Sequence, residues 1–291
     1  MSRNRATLIG FTAVLQWALL ALFTIGSAPV PPLLLNAMCF AIGGALGLIW
    51  TLANGRMAVL KTVPLRVYVL STLGLFGAHF LYFTAFRMAP MAETGLIAYL
   101  WPLIIVLMSG LLPGEKLKPL HILGAVVAFA GAALIVQRGG GVMNANTLPG
   151  FGVAFVFACV WASYSVLSRR IGDVPTESVT VFCLAAALLS ASAHMALETT
   201  IWPQSALGWA SVAALGVGPV GLAFFTWDVG MKRGDIQLLG VASYAAPLLS
   251  TFALVAVGIT KPSSTILIAA GLIAGGAALA ARASTRKASA T

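Results

Sequence analysis

Long apolar runs dominate the chain, and short stretches rich in Gly, Pro, Asn or charged residues separate one run from the next. An apolar helix of about 20 residues is long enough to cross the hydrocarbon core of a bilayer. Each run therefore predicts one membrane span, and we expect ten. They lie at residues 8–27, 32–52, 66–87, 91–112, 119–137, 150–169, 176–197, 207–231, 236–258 and 263–281.

Two of these runs carry the same motif, GLIAYLWP at residues 95–102 and GVASYAAP at residues 240–247. A proline inside a helix has no N–H, so it leaves one backbone carbonyl without its usual partner. Inside a membrane such a group is tolerated only when it is buried in protein or faces a watery cavity. The two bends therefore predict a transporter whose binding site lies between them, with Pro102 and Pro247 as hinges or gates.

The likeness between the two motifs extends to much of the chain. At a shift of 145 residues, matched pairs are Tyr82 and Trp227, Arg87 and Lys232, Lys116 and Lys261, and Gly131 and Gly276, while Trp17-Ala18 resembles Trp161-Ala162 at a shift of 144. Residues 1–145 and 146–291 would then be two repeats of five spans each. Because five is odd, the second repeat enters the membrane in the opposite sense. The predicted fold is an all-α integral membrane protein built as an inverted repeat, an architecture of alternating-access carriers.

Composition and charge agree with a membrane protein. The chain is 60% hydrophobic and 8% charged, whereas about 25% of the residues of a soluble domain are charged. With both termini in the cytoplasm, 14 Lys and Arg residues fall on the cytoplasmic side and three, Arg87, Arg138 and Lys261, on the outer side. The positive-inside rule favours that orientation. The net charge of +10 is thus explained by loops at the membrane, and a nucleic-acid partner is not expected.

The sequence gives no sign of an enzyme. It contains no nucleotide-binding loop, no HExxH motif and no paired acids, and its three histidines lie in different spans. We therefore expect no cofactor and no metal. The expected partners are a small-molecule substrate and membrane lipid, and a monomer is compatible with the sequence. A sensor is disfavoured because no soluble domain is present, whereas a channel would differ from a carrier in turnover rate.

Aromatic and polar residues within the spans are the candidate substrate-binding groups. His79 and Tyr82 share one face of span 3, although a histidine here can also serve packing alone. Tyr99 and Trp101 flank the bend of span 4. Rings give an aromatic substrate flat walls, and π faces or hydroxyls suit its ammonium group.

The second half supplies the remaining candidates. Trp161 and Tyr164 share a face of span 6, and Tyr244, with Ser243 beside it, repeats the position of Tyr99. Trp227 repeats the position of Tyr82. The complete candidate set is His79, Tyr82, Tyr99, Trp101, Trp161, Tyr164, Trp227, Asp228, Ser243 and Tyr244.

Asp228 has two interpretations. Buried acids in spans usually have a function, which indicates a proton or ammonium site. The alternative is a helical i,i+4 ion pair with Lys232.

Small residues predict close helix packing in spans 5 and 10. Gly271 and Gly275 form a GxxxG motif, and Gly124, Ala128 and Ala132 form a similar seam. Seams of this kind let two helices approach closely, so both spans are expected to be scaffold.

The segments RATLIG at 5–10, YLWP at 99–102, WA at 161–162, VG at 229–230 and VASY at 241–244 resemble the drug/metabolite transporter superfamily in its EamA-like branch, and within it the bacterial exporters of aromatic amino acids. The resemblance covers essentially the whole chain. It implies a basket-shaped carrier of the bacterial inner membrane, with spans 1, 3, 4, 6, 8 and 9 around a central cavity. It also implies export of aromatic and other apolar amino acids; the alternative is an exporter of drugs or other metabolites. In that family Asn is frequent at the position of Asp228, so proton coupling stays open.

Overall fold

The computed structural model describes residues 1–136, 146–171, 174–258 and 261–285, and every regular element in these ranges is helical. Within these ranges, eight helical segments, some made of two consecutive helices, are long and apolar enough to cross a membrane, and two shorter apolar segments occupy Glu93–Ser109 and Pro119–Leu134. Each of these ten coincides with one predicted span, which confirms the all-α membrane fold. That the two shorter helices also cross the bilayer stays a prediction. Arg138, Gly139–Gly141, Arg286 and Lys287 lie outside the described residues.

In chain order the helices are α1 (Arg3–Trp17), α2 (Leu20–Gly26), α3 (Pro32–Ala53), α4 (Met57–Leu60), α5 (Leu65–Met88), α6 (Met91–Ala98), α7 (Trp101–Ser109), α8 (Pro119–Val136), α9 (Leu148–Arg170), α10 (Val179–Leu197), α11 (Ala206–Val217), α12 (Ala223–Arg233), α13 (Ile236–Ala242), α14 (Ala245–Ala256) and α15 (Ser264–Thr285). A 3-10 turn, Thr176–Ser178, precedes α10, and a π-helical segment, Gly218–Leu222, joins α11 to α12.

Four spans are interrupted rather than straight. Span 4 breaks between α6 and α7 next to Pro102, and span 9 breaks between α13 and α14 next to Pro247. Pro219 lies in the π-helical segment of span 8. Span 1 breaks at residues 18–19, where the chain has no proline, so no residue pattern predicts that break.

The helices pair in a regular way. The most extensive contacts join α8 to α15, α3 to α10, α5 to α9 and α1 to α12, and α7 also packs against α13. In terms of spans, these pairs are 5 with 10, 2 with 7, 3 with 6, 1 with 8 and 4 with 9. A larger buried apolar cluster involves α1, α3, α5, α9, α10 and α12, and a smaller one involves α7, α8, α13, α14 and α15.

Small residues bring α8 and α15 into backbone contact. A Cβ added at Gly124 would lie 2.6 Å from the carbonyl oxygen of Gly276, and Ala128 is fully buried. The predicted seam of span 5 is therefore confirmed. The seam predicted at Gly271 and Gly275 is wrong, because a Cβ at either would meet no atom of the described residues within 4 Å. Gly276, on another face of α15, makes the contact instead.

Ion pairs tie several helices together at the predicted cytoplasmic end. The Glu115 carboxylate, between α7 and α8, accepts from Arg169 at 2.7 Å and from Arg3 at 3.3 Å. Arg3 also pairs with Asp235 at 3.2 Å, and Arg169 donates to the carbonyl of Gly234 at 2.8 Å. This network joins the ends of α1 and α9 to the segments before α8 and α13.

Glu198 organises the opposite end of the bundle. It follows α10, and its carboxylate accepts the backbone N–H groups of Leu33 at 3.0 Å and Leu34 at 3.2 Å, at the start of α3. Arg87 also pairs with it, and His194 Nδ1 lies 2.9 Å away. Burial by itself raises the pKa of Glu198, but these hydrogen bonds outweigh burial, so the pKa is lowered from its ordinary value.

The lowered pKa of Glu198 predicts pH-dependent stability. A carboxylate with a lowered pKa stabilises the fold above its unfolded-state pKa of about 4.3, and that contribution is lost as the pH falls through the folded pKa. We expect Glu198→Gln to lower the midpoint of thermal unfolding at pH 7 and to lose less stability than the unchanged protein on acidification. Thr199→Ala, at the exposed neighbouring position, is the control. If the unchanged protein and Glu198→Gln lost stability equally on acidification, the stabilising role of the Glu198 carboxylate would be contradicted.

The α8–α15 contact predicts opposite outcomes for two glycines of one helix. Gly276→Ala is expected to destabilise the protein by about 1–3 kcal/mol, because its methyl group overpacks the contact. Gly271→Ala, where the added methyl group meets no atom of the described part of the chain within 4 Å, is expected to be neutral or slightly stabilising. Unfolding of both variants in one detergent measures the difference, and equal effects would show that α8 and α15 do not pack as described.

Candidate functional site

Four tryptophans from four different spans meet in the interior. Trp17 ends α1, Trp101 begins α7, Trp161 lies in α9 and Trp227 lies in α12. The ring centroids of Trp17 lie 5.0 Å from Trp227, 5.8 Å from Trp161 and 6.1 Å from Trp101. Trp101 lies 5.9 Å from Trp227 and 6.3 Å from Trp161. We call these four side chains the tryptophan cluster; most of its contacts are edge-to-face, an arrangement that aromatic rings favour.

Two indole N–H groups of the tryptophan cluster are fixed by hydrogen bonds. Trp17 Nε1 donates to the carbonyl oxygen of Pro219 at 3.0 Å, within the π-helical segment. Trp227 Nε1 donates to Ser165 Oγ at 3.1 Å. A buried indole usually finds such a partner. The bonds hold both rings in place and give one irregular backbone carbonyl of span 8 a donor.

His79, in span 3, lies beside the tryptophan cluster. Its ring lies 6.4 Å from that of Trp161, 5.6 Å from Phe224 and 4.9 Å from Phe40. Nδ1 donates to the carbonyl of Leu75 at 2.8 Å, one turn earlier in the same helix. This bond occupies Nδ1, so a polar group that approaches the ring would meet Nε2.

Of two further predicted tyrosines in the described part of the chain, Tyr164 contacts the tryptophan cluster and Tyr82 does not. The ring of Tyr164 is 5.5 Å from that of Trp161, one turn apart in α9. Tyr82 makes ring contacts with Phe86 at 4.5 Å and Phe157 at 5.3 Å. Among the described residues these contacts form a separate aromatic group, since no ring contact joins Tyr82 to the tryptophan cluster.

The two proline bends touch each other. The hydroxyl of Tyr244, at the bend of span 9, accepts the backbone N–H of Leu103 at 3.1 Å, one residue after Pro102 in span 4. The predicted neighbourhood of the bends is therefore observed. Within the described part of the chain Tyr99, the counterpart of Tyr244, makes no equivalent bond to span 9.

Tyr244 and Ser243 lie in the scaffold and not at the tryptophan cluster. Both are fully buried. Tyr244 packs in the smaller apolar cluster with its ring 5.9 Å from that of Phe129 in α8. Ser243 Oγ donates to the carbonyl of Leu239 in its own span at 2.7 Å. Neither side chain is free to reach a substrate in this conformation.

Asp228 is buried beside Lys232. Lys232 Nζ lies 2.8 Å from one carboxylate oxygen and 2.9 Å from the other, and Thr176 Oγ1 donates to the carboxylate at 2.8 Å. Lys232 also donates to the carbonyl of Val174 at 2.8 Å. The i,i+4 pair considered from the sequence is thus present, and it neutralises the charge of the buried acid.

The space beside this pair is small. A pocket lined by Tyr164, Ser71, Asp228 and Lys232, among others, has room for about one water molecule. A central cavity the size of an amino acid is therefore not observed there. The rings of the tryptophan cluster contact one another directly, so a substrate that inserts between them would need these side chains to move apart.

Trp17 was absent from the predicted set, yet it contacts all three other members of the tryptophan cluster. The available signal was its repeat relation to Trp161. That signal was weak because it required a shift of 144 instead of 145. Phe40 and Phe224, which enclose His79, had no signal that separates them from ordinary core phenylalanines.

Comparisons with known proteins agree with the expected family. The EamA-like transporter family matches the chain twice, at residues 4–137 and 148–282. A protein of Ancylobacter novellus named "Aromatic amino acid exporter YddG" is 52% identical over 282 residues, which cover 96% of this chain and 98% of the relative. A protein of the same name from Escherichia coli is 27% identical over 304 residues, covering 99% of this chain and 100% of the relative.

The fold also matches a solved structure. A crystal structure superposes with a TM-score of 0.92 at 52% sequence identity, over 96% of this chain and 98% of that one. The two family matches, one in each half, fall on the two regions that the sequence comparison treats as repeats.

The contact between the two bends predicts unequal effects for two matched tyrosines. Tyr244→Phe removes the acceptor of a backbone N–H and is expected to destabilise the protein by about 1–3 kcal/mol. Tyr99→Phe removes a hydroxyl without such a bond and is expected to have a smaller effect. Thermal unfolding in detergent measures both variants. Equal losses would mean that the Leu103 N–H does not depend on Tyr244.

Proposed function

The chain belongs to the EamA-like transporter family, and we propose that it is a secondary transporter that exports aromatic amino acids, together with other apolar ones. The family consists of transporters and not enzymes, and the bacterial relatives indicate a multi-pass protein of the inner membrane. The observation that carries the proposal is the tryptophan cluster, in which rings from spans 1, 4, 6 and 8 converge. The curated relatives are named as exporters of aromatic amino acids.

The tryptophan cluster suits an aromatic amino acid chemically. Its rings favour edge-to-face contact with another ring, and each such contact is worth about 0.5–1.5 kcal/mol beyond the buried area. Aromatic faces also attract an ammonium group. In our proposal the substrate ring separates Trp101 from Trp161, with His79 and Tyr99 at the edge of the site. Tyr244 and Ser243 are given a structural role.

An inverted repeat is supported by the pattern of helix pairs. Let span n of the first half correspond to span n+5 of the second half. Exchanging the two halves then leaves each of the pairs 5–10, 2–7 and 4–9 unchanged. The pairs 3–6 and 1–8 map onto each other. A two-fold axis between inverted halves predicts this result, in which every observed pair is converted into itself or into another observed pair. The small-residue contacts agree with this symmetry: Gly124 contacts Gly276, and Gly131 contacts Ala269. At the shift of 145, residues 124 and 131 correspond to residues 269 and 276, so exchanging the two halves converts one contact into the other.

Alternating access requires that one side can close while the other opens. We propose that the ion network of Arg3, Glu115, Arg169 and Asp235 is the closed cytoplasmic gate. It ties spans 1 and 6 to the turns before spans 5 and 9. We place both termini in the cytoplasm on the charge distribution of the loops. The bends at Pro102 and Pro247 would act as hinges, since each joins two short rigid helices.

A counterflow assay in liposomes tests the function. Liposomes loaded with unlabelled phenylalanine should accumulate labelled tryptophan. We expect Trp101→Ala to reduce the initial rate about tenfold, the effect of losing about 1.4 kcal/mol of binding, and Tyr99→Ala to reduce it less. Trp209→Ala, an exposed tryptophan stacked on Trp202, is the matched control. Unchanged counterflow in both site variants, with an intact protein, would refute the site.

The same liposomes separate the open alternatives. If flat drugs are carried and amino acids do not compete with them, the protein is a drug or metabolite exporter. An imposed pH gradient tests coupling. Because Asp228 is already neutralised by Lys232, we expect counterflow to be insensitive to the gradient, and a strong dependence that Asp228→Asn abolishes would assign it a proton-carrying role.

A further inference from the structure

A second small pocket lies at the predicted cytoplasmic end, away from the tryptophan cluster. It is bounded by the start of α1, the segment before α8, the start of α13 and the end of α15. Its charged and polar lining includes Arg3, Lys116, Lys118, His121, Asp235 and Gln237. Leaving His121 aside, three positive side chains and one negative side chain line the pocket, so it favours an anion.

Two buried N–H groups at this pocket have no hydrogen-bond acceptor among the described residues. One is Nε2 of Gln237, a side chain that is 1% exposed, and the other is Nε of Arg3. Buried N–H groups without a partner are rare in proteins, and an unseen ligand or water usually explains them. Because both side chains line one pocket, an acceptor group bound in that pocket is a candidate partner for both N–H groups.

The other polar groups of the pocket are already engaged. One carboxylate oxygen of Asp235 accepts the backbone N–H of Leu238 at 3.0 Å, and the other pairs with Arg3 at 3.2 Å. His121 Nδ1 accepts the backbone N–H of Lys118 at 3.2 Å, and Lys118 Nζ donates to the carbonyl of Ala283. The Asp235 charge is therefore offset by Arg3. The charge of Lys118 and that of the exposed Lys116 remain to attract a ligand.

We propose that this pocket binds a phosphate-bearing anion, with the headgroup of an anionic phospholipid as its source in the membrane. The pocket has room for about one oxygen-sized group, which suits one phosphate oxygen that accepts from Gln237 and Arg3. The rest of the phosphate would lie at the rim near Lys116. Basic pockets between helix ends on the cytoplasmic side are favourable sites for such headgroups.

The occupied pocket would join the scaffold to the gate. His121 and Ala283 belong to the α8–α15 pair and Lys118 directly precedes α8, whereas Arg3 and Asp235 belong to the ion network. A bound headgroup therefore strengthens the connection between spans 5 and 10 and the starts of spans 1 and 9. This inference does not depend on which substrate is exported.

Native mass spectrometry of the full chain in a neutral detergent tests the proposal. We expect phosphatidylglycerol to bind more tightly than phosphatidylcholine. Gln237→Met, which keeps the shape but removes the donor, is expected to weaken phosphatidylglycerol binding about tenfold, the typical value of a hydrogen bond to a charged group. Lys116→Ala, at the exposed rim, is expected to weaken it less. Arg66→Ala, an exposed cation on the same predicted face, should leave it unchanged.

Competition identifies the source of the phosphate. If inorganic phosphate displaces phosphatidylglycerol and protects the protein from thermal unfolding, while Gln237→Met abolishes both effects, the site is an anion site that free phosphate also fills. If phosphate has no effect but the lipid binds, the headgroup is the ligand. Equal lipid binding by the unchanged protein, Gln237→Met and Lys116→Ala would overturn the proposal and leave water as the partner of the two N–H groups.

Discussion

A helix that breaks inside a membrane leaves backbone N–H and C=O groups that lipid cannot satisfy. This protein has interrupted helices in spans 1, 4, 8 and 9. At two of these interruptions, a side chain from another span supplies a hydrogen-bond partner for a backbone group. The Tyr244 hydroxyl accepts the Leu103 N–H, and the Trp17 indole donates to the Pro219 carbonyl. Irregular backbone in the interior therefore depends on contacts between the two halves of the chain.

Those contacts place aromatic groups where the spans converge. Trp17 stands at the break of span 1 and Trp101 at the start of the helix after the break of span 4. The same indole that satisfies a carbonyl also supplies a face of the tryptophan cluster. A ring site built in this way is coupled to the geometry of the bends, because motion of one bend moves the rings that depend on it.

The remaining helices hold this interior in place. Glycines let α1 and α12 approach until a Cβ on Gly10 would lie 2.7 Å from the Cα of Gly230, and α8 packs equally closely on α15. Charged residues lie at the two ends, where the Glu115 network and the Glu198 cluster join different sets of helices. Apolar packing thus fixes the middle of the bundle, and ion pairs fix its ends, where water and headgroups are close enough to compete.

The sequence by itself determined the class of the protein, because runs of apolar residues and the scarcity of charge leave only membrane helices as a stable solution. It also located the bends of spans 4 and 9, since proline acts locally through its missing N–H. The tertiary structure decided which aromatic residues meet. Trp17 and Trp101 are far apart in the chain, and repeat position alone could not show that Tyr244 packs into the scaffold. It likewise decided that Gly276, and not Gly271 or Gly275, faces α8, because the rotation of a helix about its axis depends on its neighbours.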